Sequence, residues 1–193
     1  TSEAKAVVNK IRRYLQTNTQ GDWRNEIVFV ADDEDGGIHM GQADDLARTV
    51  GVEGPAYNVT KIYLDAFQQV STSAGQRYPE VNNRITQAVE SGSLILNYTG
   101  HGGETGWAGE RVLDISTINS WNNINNMPLF VTATCEFSRF DDPFRTSGGE
   151  LVLLNPNGGG IALLTTTRLV FSSPNYQLNR SFYNKVFDRN PDG

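Results

Sequence analysis

The chain has 193 residues, 38% of them hydrophobic and 20% charged, which supplies enough apolar material for one domain with a substantial core and excludes a disordered chain. Its 16 basic and 22 acidic side chains leave a net charge of −6. The basic residues are scattered, so nucleic acid is excluded as an expected partner, because phosphate binding needs a clustered positive face.

One cysteine cannot form an intrachain disulfide, and no run of about 18 apolar residues is present to cross a membrane. The start, Thr1-Ser2-Glu3-Ala4-Lys5, lacks the apolar core and cleavage pattern of a secretory signal. The end, Asn190-Pro191-Asp192-Gly193, consists of turn residues. The expectation is a single domain, residues 1–193, cut from a longer protein.

Ser2 can cap a helix whose apolar positions Val7, Val8, Ile11, Tyr14 and Leu15 recur at helical spacing and predict one buried stripe. Ile27-Val28-Phe29-Val30-Ala31 suits a strand covered on both faces. It runs into the acidic loop Asp32-Asp33-Glu34-Asp35-Gly36-Gly37. Ala43, Leu46, Ala47 and Val50 mark a short helix closed by Gly51. Val59-Thr60-Lys61-Ile62-Tyr63-Leu64 is a second strand, and the polar segment 68–76 reads as a surface loop.

Pro79 fits the first turn of a helix carrying Val81, Ile85, Ala88 and Val89, with Gly92 as terminator. A third strand, Leu94-Ile95-Leu96-Asn97-Tyr98, is followed by a glycine-rich loop and a short helix capped by Asp114 that buries Ile115, Ile118 and Trp121. The fourth strand is Pro128-Leu129-Phe130-Val131-Thr132-Ala133-Thr134. The segment 136–147 shows no period. Residues 150–154 read as a helix, Gly160-Ile161-Ala162-Leu163-Leu164-Thr165 as a fifth strand, and Ser173-Pro174 opens a last helix with Leu178, Phe182 and Val186. Strands alternating with helical patterns mean an α/β fold: a mainly parallel sheet flanked by helices.

Two of these strands stop on chemically useful side chains. The third leads through Thr99-Gly100 to His101, then Gly102 and Gly103, and 34 residues later (135 − 101) the fourth delivers Cys135. In a parallel sheet both would stand at the carboxyl ends of strands, where such folds put their sites. A thiol beside an imidazole is the minimum equipment of a cysteine peptidase. A lone cysteine is more often a small buried hydrophobe. This one follows a strand rather than sitting within it, and its downstream neighbours are polar or charged. The glycines at His101 permit backbone N–H groups to approach a developing oxyanion, so the N–H groups of Gly102 and Cys135 would form an oxyanion hole.

A hydrophobic block ending in His-Gly, then a second ending in a small residue and Cys, resembles the caspase-like cysteine peptidases. Asn97-Tyr98-Thr99-Gly100-His101-Gly102-Gly103-Glu104-Thr105, with Trp107 close behind, is similar to the gingipain branch. Ala133-Thr134-Cys135-Glu136-Phe137-Ser138-Arg139-Phe140-Asp141-Asp142-Pro143 resembles, within it, the PorU-type sortases of the type IX secretion system. The resemblance runs over residues 27–173.

It implies a caspase-like three-layer α/β sandwich and an enzyme at the cell surface or outer membrane. That enzyme would remove the C-terminal sorting domain of secreted proteins and join the new end to anionic lipopolysaccharide, with other secretion-system components as partners. On that reading Cys135 attacks the scissile carbonyl of a protein or peptide substrate, and His101 protonates the departing amine. Capture of the acyl group by an amine would make the enzyme a transpeptidase. No cofactor or metal is expected, and the acidic loop fits a solvated turn or a cation site as well as an orienting acid. In gingipains a glutamate after the first strand orients the histidine; alignment places Asp33 there, with Asp32 and Glu34 as neighbouring alternatives. His39 or Asp44 falls near the family's specificity-pocket acid.

Two readings from other classes compete. An aspartate-rich loop after the first strand also fits a phosphoacceptor, with Asp33 and Asp35 as nucleophile and acid, but the later strand ends lack the partners that chemistry needs. A catalytically silent caspase-like binding module is the other, and the presence of both His101 and Cys135 argues against it.

Overall fold

The computed structural model describes residues 1–187, and the turn residues at the chain's end lie outside them. Along the chain run α1 (Ser2–Tyr14), β1 (Glu26–Ala31), α2 (Ile38–Glu53), β2 (Asn58–Tyr63), β3 (Val70–Thr72), β4 (Gly75–Arg77), α3 (Pro79–Ser91) and β5 (Ile95–Thr99). Then come β6 (Gly102–Gly103), β7 (Gly106–Trp107), β8 (Leu113–Asp114), α4 (Ile115–Ser120), β9 (Leu129–Ala133), α5 (Gly148–Leu154), β10 (Ala162–Leu164) and α6 (Ser172–Val186).

The five apolar runs pair as one parallel sheet in the order β10-β9-β5-β1-β2. Side chains alternate across it, as the pleat requires. Ile27, Phe29, Ile95 and Val131 face α2 and α6, meeting Leu46, Ala47, Val50 and Tyr183. Val28, Val30, Leu96, Tyr98 and Phe130 face α3, α4 and α5, meeting Val81, Ile85, Val89, Ile118, Trp121 and Val152. Helices on both faces give the three-layer α/β sandwich that the alternating pattern predicts. The chain moves outward from β1 to β2 and then returns to β5 on the other side of β1. That reversal opens a crevice at the carboxyl edge between β1 and β5, the position where open α/β sheets bind ligands.

Several local expectations are corrected. The cap of α1 is Thr1, whose side chain accepts the Ala4 N–H, rather than Ser2. The apolar stripe of α1 stays largely exposed, with Val8 at 54% and Leu15 at 75%. The residue that α1 buries is Lys10. Helix α2 continues through Gly51 to Glu53, because Leu46, Ala47 and Val50 are already packed on the sheet and hold the last turn. Segment 68–76 holds the β3–β4 hairpin, an exposed ribbon with no apolar alternation to reveal it. In α6 the buried residues are Asn175, Asn179 and Tyr183, while Leu178 and Val186 face outward. Asp114 does cap α4, accepting the Thr117 N–H at 2.8 Å.

Lys10 is 2% exposed and donates to the carbonyls of Leu153 at 2.8 Å and Val152 at 3.4 Å. These carbonyls belong to the last turn of α5, where no intrahelical donor is available and a cation is favoured. Burial nevertheless pushes the ammonium down from 10.5 to about 8. Because the folded value lies below the unfolded one, the charge penalises folding fully below pH 8, and the penalty lifts as pH rises through 8 toward 10.5. The linkage amounts to about 2–3 kcal/mol between pH 7.5 and 10. Urea unfolding at the two pH values should show the native chain gaining about that much relative to Lys10→Met; parallel pH curves would contradict it.

Candidate active site

β1, β5 and β9 end side by side, with Ala31 paired to Thr99 and Thr99 to Ala133. The backbone of His101 is locked against the end of β1. Its N–H donates to Asp32 Oδ2 at 2.8 Å, and its carbonyl accepts from Tyr98 Oη at 2.6 Å and from the Ala108 N–H at 2.9 Å. Tyr98 is fully buried and stacks on Trp107 at 4.4 Å between centroids, which ties this turn into the core.

The glycines flanking His101 are forced by crowding. A Cβ on Gly100 would lie 2.3 Å from Asp32 Cβ, and one on Gly102 would lie 2.6 Å from Thr134 Oγ1. Gly102 also opens a small antiparallel sheet by pairing with Trp107. Asp32 is wholly buried, and burial pushes its carboxyl up to about 6, with the His101 N–H pulling the other way.

The imidazole of His101 is about half exposed. Its Nε2 lies 3.0 Å from Asp35 Oδ2 and 3.7 Å from Glu34 Oε2. Asp35 has a left-handed backbone, φ 58°, followed by Gly36 at 64° and Gly37 at 81°. A non-glycine residue in that region carries strain that the surroundings must hold in place. The reversal it produces brings the carboxylate back over the histidine.

Asp33, the expected orienting acid, is turned away from the ring. Its Oδ2 accepts from Tyr78 Oη at 2.6 Å, on the side of the sheet covered by α3. The Tyr78 hydroxyl holds the Asp33 carboxylate, while Asp32 turns its own to the His101 N–H. Asp35, with Glu34 beside it, holds the position over the ring.

Cys135 lies two residues beyond the end of β9, and Glu136 after it has φ 47°, so the chain turns sharply just past the thiol. Cys135 is partly exposed, its Sγ 3.6 Å from the Val170 carbonyl oxygen. His101 and Cys135 line the same cleft, about 300 Å³, together with Asp35, His39, Gln42, Phe171, Ser172 and Asn175. A second, larger depression of about 620 Å³ runs from His101 along Gly103, Thr105, Arg111 and Ser116. His101 stands between the two.

Of the two specificity candidates, His39 lies in the cleft and Asp44 does not. His39 is 5% exposed, its ring edge-on to His101 at 5.1 Å, and burial lowers its pKa. Asp44 instead pairs with Lys61 at 2.5 Å, and that hydrogen bond lowers its carboxyl. Gln42 and Asn175 escaped the sequence reading, because a polar residue inside a helical pattern gives no sign of which way it faces.

The segment after Cys135 is anchored rather than loose. Phe137 is buried against Trp107 at 5.5 Å, and Arg139 bridges Glu104 at 3.2 Å and Glu136 at 3.0 Å.

This is a parallel α/β sandwich with a cysteine and a histidine presented on neighbouring strand ends, the layout of the caspase-like class of thiol peptidases. The profile of peptidase family C25 matches residues 1–193, and the chain belongs to that family, the gingipain family. Its fold is similar to the crystal structure of the Arg-specific cysteine proteinase gingipain R, with a TM-score of 0.80 at 18% identity over 100% of this chain and 44% of that one. The complex of the Porphyromonas gingivalis RgpB pro- and mature domains matches with a TM-score of 0.80 at 17% identity, covering 99% of this chain and 44% of that one. A third structure, described as that of a protease, gives 0.67 at 17% identity over 90% of this chain and 36% of its own. The chain thus spans less than half the length of these solved relatives. No curated protein matches it. Among the described residues no helix is long and apolar enough to cross a membrane.

Gly100→Ala should cost about 2 kcal/mol or more in urea unfolding, since neither Asp32 nor Tyr98 can retreat from the close-packed core. A variant as stable as the native chain would show that the strand ends are not packed this tightly.

Proposed function

We propose that this domain is the catalytic unit of a cysteine endopeptidase, with Cys135 as nucleophile, His101 as general acid and the N–H groups of Gly102 and Cys135 as the oxyanion hole. The observation that carries the reading is the shared cleft: thiol and imidazole stand at the ends of adjacent strands, with an acid on Nε2 of the ring. Since Nε2 faces Asp35, a proton passes to the reacting group through Nδ1. Asp35 therefore takes the orienting role expected of Asp33, and Glu34 supports it.

The Cys135 thiolate adds to the scissile carbonyl, the developing oxyanion is held by backbone N–H groups, and His101 protonates the amine as the C–N bond breaks. Water or an amine then takes the acyl group from sulfur.

The particular reading we favour is a type IX secretion sortase. Its support is the likeness of residues 133–143 to the PorU-type sequences, with proteins carrying a C-terminal sorting domain as substrate and an amino group carried by anionic lipopolysaccharide as the acyl acceptor. This places the enzyme on the outer face of the cell envelope.

A peptide spanning a sorting-domain junction, incubated with an amine and analysed by mass spectrometry, tests both levels. Cleavage with a new amide end supports the sortase; cleavage with only a new carboxyl end leaves a peptidase. Cys135→Ala and His101→Ala should each lower kcat/KM by about 10³-fold or more, because such groups fail as a unit. Asp35→Asn should lower it by about 10- to 100-fold, mostly in kcat. Undiminished turnover by Cys135→Ala would end the proposal and favour a docking module.

A further inference from the structure

Thiol chemistry divides a substrate into two halves, and the cleft at Cys135 accounts for only one of them. The acyl half becomes tied to sulfur, whereas the departing nitrogen must lie against the group that protonates it. A bound chain therefore passes from its acyl half to its amine half as it crosses from Cys135 to His101. The depression of about 620 Å³ begins at His101, is not lined by Cys135, and continues along Gly103, Thr105, Arg111 and Ser116.

This depression is lined by a glycine that the fold does not need. Gly106 is held by crowding, since a Cβ there would lie 2.1 Å from the Leu113 carbonyl oxygen, and Gly100 and Gly102 are crowded in the same way. Gly103 has no positive φ, and a Cβ built on it would meet nothing within 4 Å. A side chain at this position would enter open space, so its absence keeps that space clear.

The backbone beside it is also free to bind. β6 is an edge strand, paired with β7 in the three-stranded sheet. The His101 carbonyl takes the Ala108 N–H at 2.9 Å, and the Trp107 carbonyl takes the Val112 N–H at 3.1 Å. Bonded and non-bonded pairs alternate in an antiparallel ladder, so the N–H and C=O of Gly102, which stands opposite Trp107, point outward from β6. An extended segment can hydrogen-bond along such an edge. The wall at Arg111 is preformed, because Asn82 Nδ2 donates to the carbonyls of Arg111 at 2.9 Å and Val112 at 2.8 Å and fixes that turn against α3.

We infer that this depression is the binding site for the leaving-group half of the substrate, the extended polypeptide segment on the carboxyl side of the scissile bond, laid along β6 over Gly103. The inference rests on the peptidase reading. In acylation the Sγ–C bond forms, the C–N bond breaks with its electron pair going to nitrogen, and the proton on His101 joins that nitrogen. The freed amine leaves through the depression. In the reverse sense an acceptor amine enters there and gives its proton to neutral His101 as the N–C bond forms and the C–S bond breaks, returning the thiolate.

The test uses two substrates with the same acyl half, one continuing into a sorting-domain peptide and the other ending in a small arylamine. Gly103→Leu should lower kcat/KM for the peptide at least about tenfold more than for the arylamide, mostly through KM. It should also reduce the yield of new amide relative to new acid when an amine is added. Its Tm should stay within about 3 °C of the native value; if it melts lower, Gly103→Ala replaces it, with a smaller effect in the same direction. In the Cys135→Ala background, the free carboxyl-side peptide should bind, and adding Gly103→Leu should raise its Kd at least about tenfold.

Equal losses on the two substrates, no loss on either, or an unchanged Kd for the carboxyl-side peptide would overturn the site and leave the peptidase standing. A native chain that cuts neither substrate would remove the peptidase reading, and this site with it.

Discussion

The cleft depends on one buried carboxylate. Asp32 sits where β1 ends, its own N–H donating to the Thr99 carbonyl at 3.1 Å and its side chain accepting the His101 N–H at 2.8 Å. That pair of bonds welds the exits of two neighbouring strands together, so His101 emerges at a set height above the sheet. A charge-assisted bond of this kind, wholly shielded from water, is stronger than its solvent-exposed counterpart and leaves the acid no cheap alternative partner. The glycine at position 100 follows from it, since any larger residue would strike Asp32.

Around that fixed point the chemistry is arranged by two sharp breaks in the backbone. Asp35 and Glu136 both take left-handed conformations a few residues beyond strand ends, one lifting a carboxylate over the imidazole and the other turning the chain just past the thiol. Strained residues of this sort persist where the surroundings over-determine them. Here the surroundings are Phe137 and Trp107 in the core and Arg139 between two glutamates. Farther along the same segment Phe140 and Phe144 are exposed, at 68% and 95%.

An identity of 18% to gingipain R with a TM-score of 0.80 shows how little of the sequence is needed to keep this architecture. The parallel sheet asks for apolar runs of the right length and order, which many sequences satisfy. The more exacting demands fall on a few positions: a glycine where a strand exit crowds its neighbour, an acid buried at β1, and the small residues preceding the cysteine.

Periodicity in the sequence was enough to determine the five strands, the covering helices and the presence of His101 and Cys135 at strand ends, because apolar runs and their terminators are local signals. The layered architecture follows from their alternation. The hairpin at 70–77 and the buried face of α6 were not legible, since an exposed ribbon and a helix burying Asn175 and Asn179 lack the apolar pattern that marks an element. The acid that lies beside the imidazole was also not legible: the loop pattern pointed to Asp33, with Asp32 and Glu34 as alternatives, and Asp35 differs from them only in the direction the backbone gives it. The left-handed turn at Asp35 and the pull of Tyr78 on Asp33 decided it, and both depend on contacts between segments far apart in the chain.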